Sequence, residues 1–462
     1  MKPIFIEDVI KAVNGTISQN VNTDNIFIKN ISTDTRSIKE GDLFIPIIGE
    51  NFDGHNFIDV AFEKGASVCL SQKPIKTDNM VINVADTKEA LKDLAMYYRN
   101  LFKIPIVALT GSAGKTTTKD MLASCLAQKY KVVKTEGNFN NEIGLPLTIF
   151  NIEEDTEIAI LEMGMNHFGE IRALSKIAKP DIALITNIGV SHIENLGNRE
   201  GILRAKYEIF DYLKNNGIKI LNGDDDILCT LKEESDNTKA YFYSINKKLD
   251  AYATNIQQNG INGISATINY FDKNFDVNLK IPGEHTLSNA LAVTLVCESL
   301  GLTEDEIKTG LETFKPSKMR MDIIKTNNYT IINDTYNANP NSMKATLDVL
   351  ATTKGRKVAI LGDMFELGTY TNDMHYDIGK YASDKCIDEL IFIGNNSYYM
   401  LDGAKSNKNN TSNLNYFKTQ EEFFDKIGNL LKQGDIILIK ASRGMKLENT
   451  VEEIMRRENN GI

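Results

Sequence analysis

The stretch IPIVALTGSAGKTTTKDMLASCLAQ, residues 104–128, decides how the chain folds. Ile106 to Leu109 is a short apolar run of strand length, and beyond it Met121, Leu122, Cys125 and Leu126 recur at helical spacing. Between the two lie Thr110, Gly111, Ser112, Ala113, Gly114, Lys115, Thr116 and Thr117. A glycine-rich turn at a strand-to-helix junction aims backbone N–H groups and the helix N-terminus at one point, which suits a phosphate chain. In that geometry Lys115 reaches the β and γ phosphates and Thr116 a magnesium ion. The usual GxxxxGK[ST] pattern has glycine where Leu109 stands, so this loop is a shortened form. The alternative, a glycine turn with no ligand, is the minority reading for Gly-Lys-Thr-Thr at such a junction.

Outward from this loop the chain alternates strand and helix. Strand candidates follow at EIAILEMG, DIALITNIG and GIKILNG, the alternation of a parallel sheet. From Lys239 to Lys280 short alternating runs broken by NG and DKN predict antiparallel hairpins, making the central sheet mixed. Breaks near Pro105 and Pro316 are placed where hinges could lie, and a second α/β series begins after Pro316 with YTIIND, KVAILGD, ELIFIG and DIILIKA as strands. EEFFDKIGNLLK reads as one helix and NNSYYMLDGAKSNKNNTSN as loop. The expected architecture is α/β in three domains: a small α/β domain over residues 1–102, a P-loop mononucleotide-binding mixed sheet with helices over 103–314, and a Rossmann-like open α/β domain over 315–462.

Composition narrows the function classes. Of 462 residues, 42% are hydrophobic and 25% charged, as in a soluble globular protein. No apolar run is long enough to span a membrane, and the N-terminal MKPIFIEDVIKAVNG carries acidic residues where an export signal would be apolar. Cys69, Cys125, Cys229, Cys297 and Cys386 are odd in number and widely spaced, which fits a reducing, cytoplasmic setting. A net charge of -10 argues against a general nucleic-acid binder. Positive charge for phosphorylated ligands must therefore be local or brought by metal ions.

Glu162 ends an apolar strand, EIAILE, and His192 follows another, IALITNIGVSH. The carboxyl ends of parallel strands are where ligands gather, although a lone residue there is usually a hydrogen-bonded structural group. Lys206, in RAKYEIF, reads from spacing as part of a salt-bridged helix face with Arg204 and Glu208 at i,i+4. GNFNN, with Asn138, Asn140 and Asn141, is turn-like, and capping is the ordinary reading for His285 at a helix start after Pro-Gly.

The loop TGSAGKTT preceded by Val-Ala-Leu resembles the ATP site of the Mur ligase family, and the resemblance continues over nearly the whole chain. EGNFNNEIGLP, LEMGMNHFGE, TNIGVSHIE, RAKYEIF, GEHTLSNALAV, MRMD, NDTYNANPNSM and LGDMFELG follow in that family's order and approximate spacing. DTYNANPNSM and LGDMFELG are similar to the branch that adds D-alanyl-D-alanine to a UDP-N-acetylmuramoyl-tripeptide; the DNPR segment typical of the branch adding the third amino acid is absent. The resemblance implies an ATP-dependent, ADP-forming amide ligase with two magnesium ions. It implies metal ligation by Thr116, Glu162, His192 and Lys206, with Lys206 carbamylated so that an ammonium becomes an anionic oxygen ligand. It further implies that GNFNN helps position phosphate and magnesium through Asn138, Asn140 or Asn141, that His285 and Asn289 contact adenine, Arg320 the phosphates and Asp334 the ribose, and that Lys115, Lys206, His192 and Arg320 serve the chemistry. Thr33, Asp34, Thr35 and Arg36, with Asp53-Gly54-His55, resemble the segment for the uridine diphosphate end, and Asn337 and Asn339 are expected to face the reacting groups. The chain is expected to act as a monomer in the cytoplasm. Rival readings are a related Mur-type ligase for another amino acid, a folate glutamate ligase, and a P-loop switch or motor that hydrolyses ATP and binds a protein.

Overall fold

The structure, a computed structural model, describes residues 1–17, 23, 25–233 and 238–459. These form a mixed α/β protein in two compact units, residues 1–110, 130–183 and 207–218 in one and 111–129, 184–206 and 219 onward in the other. All five cysteines are free. Among the described residues no helix is long and apolar enough to cross a membrane.

In the first unit a five-stranded sheet runs in the order Thr16–Ile17, Val81–Asn83, Ala66–Ser71, Asp42–Phe44, Asn30–Ser32. Its pairings are parallel except at the Thr16–Ile17 edge. Phe44, Ile58, Ala61, Cys69 and Val81 close its core. The helix Thr87–Asn100 is started by Asp86, whose carboxylate accepts from the Lys88 and Glu89 amides at 2.7 and 3.0 Å, worth about 1 kcal/mol for such a cap. Near its end the buried Arg99 donates to the carbonyls of Ala178 and Phe102 at 3.0 and 2.8 Å, fixing the break before Pro105. There Ile158–Glu162 pairs in parallel with Ile106–Thr110 on one side and Val132–Lys134 on the other. All five residues of Ile106–Thr110 and of Ile158–Glu162 are buried, which is why these strands are continuously apolar rather than alternating.

In the second unit the helix Lys115–Leu126 carries Met121, Leu122, Cys125 and Leu126 into the interior, as the spacing predicts. The strands Ala251–Gln258, Ile264–Tyr270 and Lys273–Leu279 form the expected antiparallel hairpins. Lys239–Ser244, however, pairs with Ala251–Gln258 in parallel, contrary to the hairpin reading. Asp224 explains the difference: its carboxylate takes the Ser244 hydroxyl at 2.5 Å and the Ile245 amide at 2.6 Å, holding a wide loop where a tight turn was expected.

The last third is an open six-stranded sheet ordered Asp322–Lys325, Thr330–Asn333, Ile436–Lys440, Lys357–Gly362, Glu389–Ile393, Asn413–Phe417. It is parallel apart from the first pair. Ile331, Val358, Ile360, Ile391, Ile437 and Ile439 are buried in one cluster, each stabilising by about 1.5–3 kcal/mol. Two local expectations fail here. Residues expected as loop contain the helix Ser397–Ser406, because Asp363 caps it from a distant strand end: its carboxylate accepts from the Asn396 and Ser397 amides and the Ser397 hydroxyl. EEFFDKIGNLLK is two short helices, Gln420–Phe424 and Ile427–Leu430, separated where the Lys426 amide turns back to the Phe423 carbonyl at 2.9 Å. That break lets both Phe423 and Ile427 enter the core.

Candidate active site

The loop after Ile106–Thr110 is held from behind by the segment after Ile182–Ile185. The Ser112 and Ala113 amides donate to the carbonyl and side-chain oxygens of Asn187 at 3.1 and 2.9 Å, and Thr186 Oγ1 donates to the Ala113 carbonyl at 2.6 Å. Gly111 has φ +154°, and a Cβ there would stand 1.8 Å from Thr186 Oγ1, so this position admits glycine alone. Gly114, at φ +80°, starts the helix Lys115–Leu126 and faces Asn289, whose Oδ1 would lie 3.1 Å from an added Cβ. The helix start of GEHTLSNALAV thus meets the phosphate-type loop. Lys115 Nζ donates to the Gly111 carbonyl at 2.7 Å, arching over the loop. Thr110 lies below, its hydroxyl donating to the Met163 carbonyl at 2.8 Å. Thr116 is buried in the first helical turn, with Thr117 beside it.

Lys206 ends the helix Arg199–Tyr207 with its side chain inside: 1% of the residue is exposed. Burial, and then the neighbouring Lys115 charge, push its amine well below the usual lysine range. The salt-bridged-face reading therefore fails. Glu208, the expected i,i+4 partner of Arg204, instead accepts from the Gly169 and Arg172 amides at 2.9–3.1 Å, starting the helix Glu170–Ala178. His192, at φ +62°, has Nδ1 2.8 Å from Glu366 Oε2, off the line of a straight hydrogen bond. Glu366 itself sits at φ +63°, and the His192 ring holds its carboxyl below the usual range. Such left-handed conformations in non-glycine residues cluster at functional sites.

In the first unit Glu162 is 2% exposed and accepts from Asn140 Nδ2 at 2.8 Å. Asn140 is thus an asparagine of GNFNN hydrogen-bonded to Glu162. Asn138 is exposed, and Asn141 caps the next helix through the Ile143 and Gly144 amides. Nothing in the spacing of GNFNN separates the three.

From the C-terminal third, Asn339 reaches the loop after Ile106–Thr110. Asn339 starts the helix Pro340–Ala351 in a capping box with Ser342, and its side-chain amide donates to Ser191 Oγ at 2.8 Å and the Ser112 carbonyl at 3.3 Å. Its groups are thus engaged by the loop and the cap. Asn337 turns its side-chain oxygen to the Ala338 amide. Arg320 stacks on Tyr336, its guanidinium carbon 3.8 Å from the ring centroid. Asp334 accepts from the Met321 amide at 3.1 Å and from Lys440 Nζ at 2.5 Å. His285 makes no cap contact, contrary to the capping reading; burial pushes its imidazole below the ordinary value.

The uridine-type segment is a separate polar turn. Arg36 chelates Asp34 through Nε and Nη2 at 2.6–3.0 Å and holds that carboxyl down to about 2. Thr33 and Thr35 flank the pair partly exposed. Asp53 accepts from the His55 amide and Nδ1 at 2.9 and 2.7 Å and pairs with Lys73, while His55 Nε2 accepts from the Gln72 amide. Spacing gave no sign that Asp34 and Arg36 would hold each other.

Strand, glycine turn, arched lysine and open parallel sheets define a P-loop α/β protein whose C-terminal segments contact its nucleotide-type loop. Known proteins carry the assignment further. The Mur ligase family, catalytic domain, matches residues 27–99, the Mur ligase middle domain 109–297, and the Mur ligase glutamate ligase domain 319–443. The chain belongs to the Mur ligase family. It is 37% identical over 456 residues to a UDP-N-acetylmuramoyl-tripeptide--D-alanyl-D-alanine ligase of Bacillus subtilis, covering 97% of this chain and 98% of that one. An Escherichia coli protein of the same name is 34% identical over 92% of this chain and 93% of its own. A crystal structure of MurF from Acinetobacter baumannii superposes with a TM-score of 0.93 at 32% identity, covering 99% of both chains. MurF ligase from Thermotoga maritima in complex with ADP gives 0.84 at 30% identity, over 94% of this chain and 98% of that one.

Proposed function

We propose that this chain is an ATP-dependent, ADP-forming ligase that joins D-alanyl-D-alanine to UDP-N-acetylmuramoyl-tripeptide in the cytoplasmic synthesis of peptidoglycan precursors, acting as a monomer. The observation that carries the reading is the loop at Gly111–Thr117, gripped by Asn187 and Thr186 and crossed by Lys115, in a chain similar along its whole length to ligases of that name. The proposed domain bounds, 1–102, 103–314 and 315–462, are supported by the three matched segments.

A carboxylate is a poor acyl donor, so the tripeptide carboxylate takes the γ-phosphoryl group and ADP leaves. The dipeptide amine then attacks the acyl phosphate, loses a proton and expels phosphate. Two unit charges about 4 Å apart at an effective dielectric near 20 repel by about 4 kcal/mol. Lys115, Arg320 and the helix N-terminus at Gly114 offset that repulsion and stabilise charge on the transferring oxygens. The N-terminal segments Thr33–Arg36 and Asp53–His55 are proposed for the uridine diphosphate, and Asp334, His285 and Asn289 for the nucleoside of ATP.

Magnesium-ligand roles are proposed for Thr116, His192, Glu162 and carbamylated Lys206. A lysine amine whose charged form burial disfavours suits reaction with carbon dioxide: the unprotonated amine adds to the carbon, releases one proton and becomes a carbamate. Bound magnesium would supply charge neutralisation on the phosphates.

The test is product analysis with purified protein, ATP, each of the two tripeptides ending in diaminopimelate or lysine, and a panel of amines. ADP and phosphate forming in step with the D-alanyl-D-alanine adduct is the expected result. AMP as the stoichiometric product, or preferred use of glutamate with a folate, overturns the reading. ATP hydrolysis indifferent to both substrates would favour the switch or motor alternative.

A further inference from the structure

DIILIKA reads as one more buried strand, and Ile436 to Ile439 behave so, but the strand ends on a lysine that is also inside. Lys440 is 2% exposed. A buried ammonium is costly unless it is paired and hydrogen-bonded, and the partners here are specific. Lys440 Nζ donates to Asp334 Oδ2 at 2.5 Å and to the Asn337 carbonyl at 2.9 Å. The other oxygen of Asp334 takes the Met321 amide at 3.1 Å, and the Asp334 amide donates to the Ile439 carbonyl at 3.0 Å. One cation therefore fixes both the carboxylate and the turn that follows it, from the C-terminal end of a central strand in an open parallel sheet. Ligands collect at such strand ends. The His285 imidazole, at the start of the helix that meets the phosphate-type loop, lies within electrostatic reach of both Asp334 and Lys440.

We propose that Lys440 is a positioning residue for sugar recognition: it holds Asp334 turned so that the carboxylate can accept hydrogen bonds from the ribose hydroxyls of ATP. The inference rests on the proposed role of Asp334 in holding the nucleoside of ATP, taken through its ribose. Lys440 touches no reacting atom; it acts through Asp334, and through Asn337 it also sets where the NANP turn begins. A purely structural ion pair at this position would affect stability without affecting which sugar is preferred.

The experiment compares dissociation constants for ATP and 2′,3′-dideoxy-ATP, measured by calorimetry with magnesium on the full chain. Wild type should favour ATP, and Lys440→Met should shrink that preference by roughly tenfold or more, the scale of a lost charge-assisted hydrogen bond. An unchanged preference in a folded Lys440→Met protein overturns the inference. Should that variant fail to fold, Lys440→Arg carries the test. Its larger planar cation keeps the charge but does not fit where a single nitrogen sits between Asp334 and the Asn337 carbonyl, so the preference should fall, and an unchanged preference again overturns the inference. Wild type binding both nucleotides equally would overturn the ribose role of Asp334 itself, an outcome visible without any variant.

Discussion

Replacing Gly111 by alanine tests the loop geometry most directly. The added Cβ would lie 1.8 Å from Thr186 Oγ1, 3.1 Å from Thr186 Cβ and 3.2 Å from its backbone nitrogen. The hydroxyl cannot simply rotate, because it donates to the Ala113 carbonyl at 2.6 Å, and losing that bond costs about 1 kcal/mol. Repacking around the new methyl adds about 1–3 kcal/mol. A non-glycine residue held at φ +154° adds about 1–3 kcal/mol more. Gly111→Ala should therefore destabilise by about 3–7 kcal/mol, or shift the loop and lose nucleotide affinity in proportion. In a Thr186→Ala background the closest clash and the hydrogen bond are already gone, while the backbone strain remains. A double-mutant cycle in urea should then give a coupling of about 1–2 kcal/mol between the two positions. Effects that add to within about 0.5 kcal/mol, or a Gly111→Ala protein with wild-type stability and ATP affinity, would refute the description of this loop.

Lys115→Ala should abolish synthesis and weaken ATP binding while the fold persists, since the lysine arches over the loop and donates to the Gly111 carbonyl; turnover within about tenfold of wild type would exclude the charge-stabilising role. Lys206→Met should remove most activity with a melting temperature equal to or above wild type, because an amine disfavoured as a cation by burial and by Lys115 is exchanged for an apolar chain. Stripping carbon dioxide should slow wild type and bicarbonate restore it, and indifference to both would return Lys206 to a structural role. His375 donates Nδ1–H to the Thr371 carbonyl at 2.6 Å and accepts the Met364 amide on Nε2 at 2.9 Å, and burial lowers its pKa. A lowered folded-state value means the stabilisation is present above about pH 6.5 and lost as pH falls beneath it. The denaturation midpoint should drop between about pH 7.5 and about pH 5, and His375→Asn should flatten that slope; an equal slope in the variant would be contrary.

What could be read from the chain and what could not divide along a physical line. The loop from Thr110 to Thr117 was legible because every signal for it is local: an apolar strand, glycines where the backbone must turn, and a helical repeat within a dozen residues. Glu162 was legible as a strand end, whereas His192, expected just after a strand, stands well beyond Ile182–Ile185 at the start of the helix Ile193–Leu196. Features made by distant partners were not. Asp363 starts the helix Ser397–Ser406 from another strand, so a polar stretch that looked like loop is ordered by a carboxylate over thirty positions away. Glu366 could be seen in LGDMFELG only as a polar residue, and its approach to His192 needs the tertiary fold. Lys440 was hidden differently. A lysine closing an apolar strand normally reads as the point where the chain reaches water, and burial reverses that reading because an unpaired ammonium could not remain there. Its position therefore required a carboxylate opposite, and Asp334 is that carboxylate. The same reasoning applies to Lys206, where burial beside Lys115 makes the ordinary cation the unfavourable form. Two lysines that spacing would have assigned to surfaces are thus the two whose chemistry the interior most strongly constrains, one toward pairing and the other toward losing its charge.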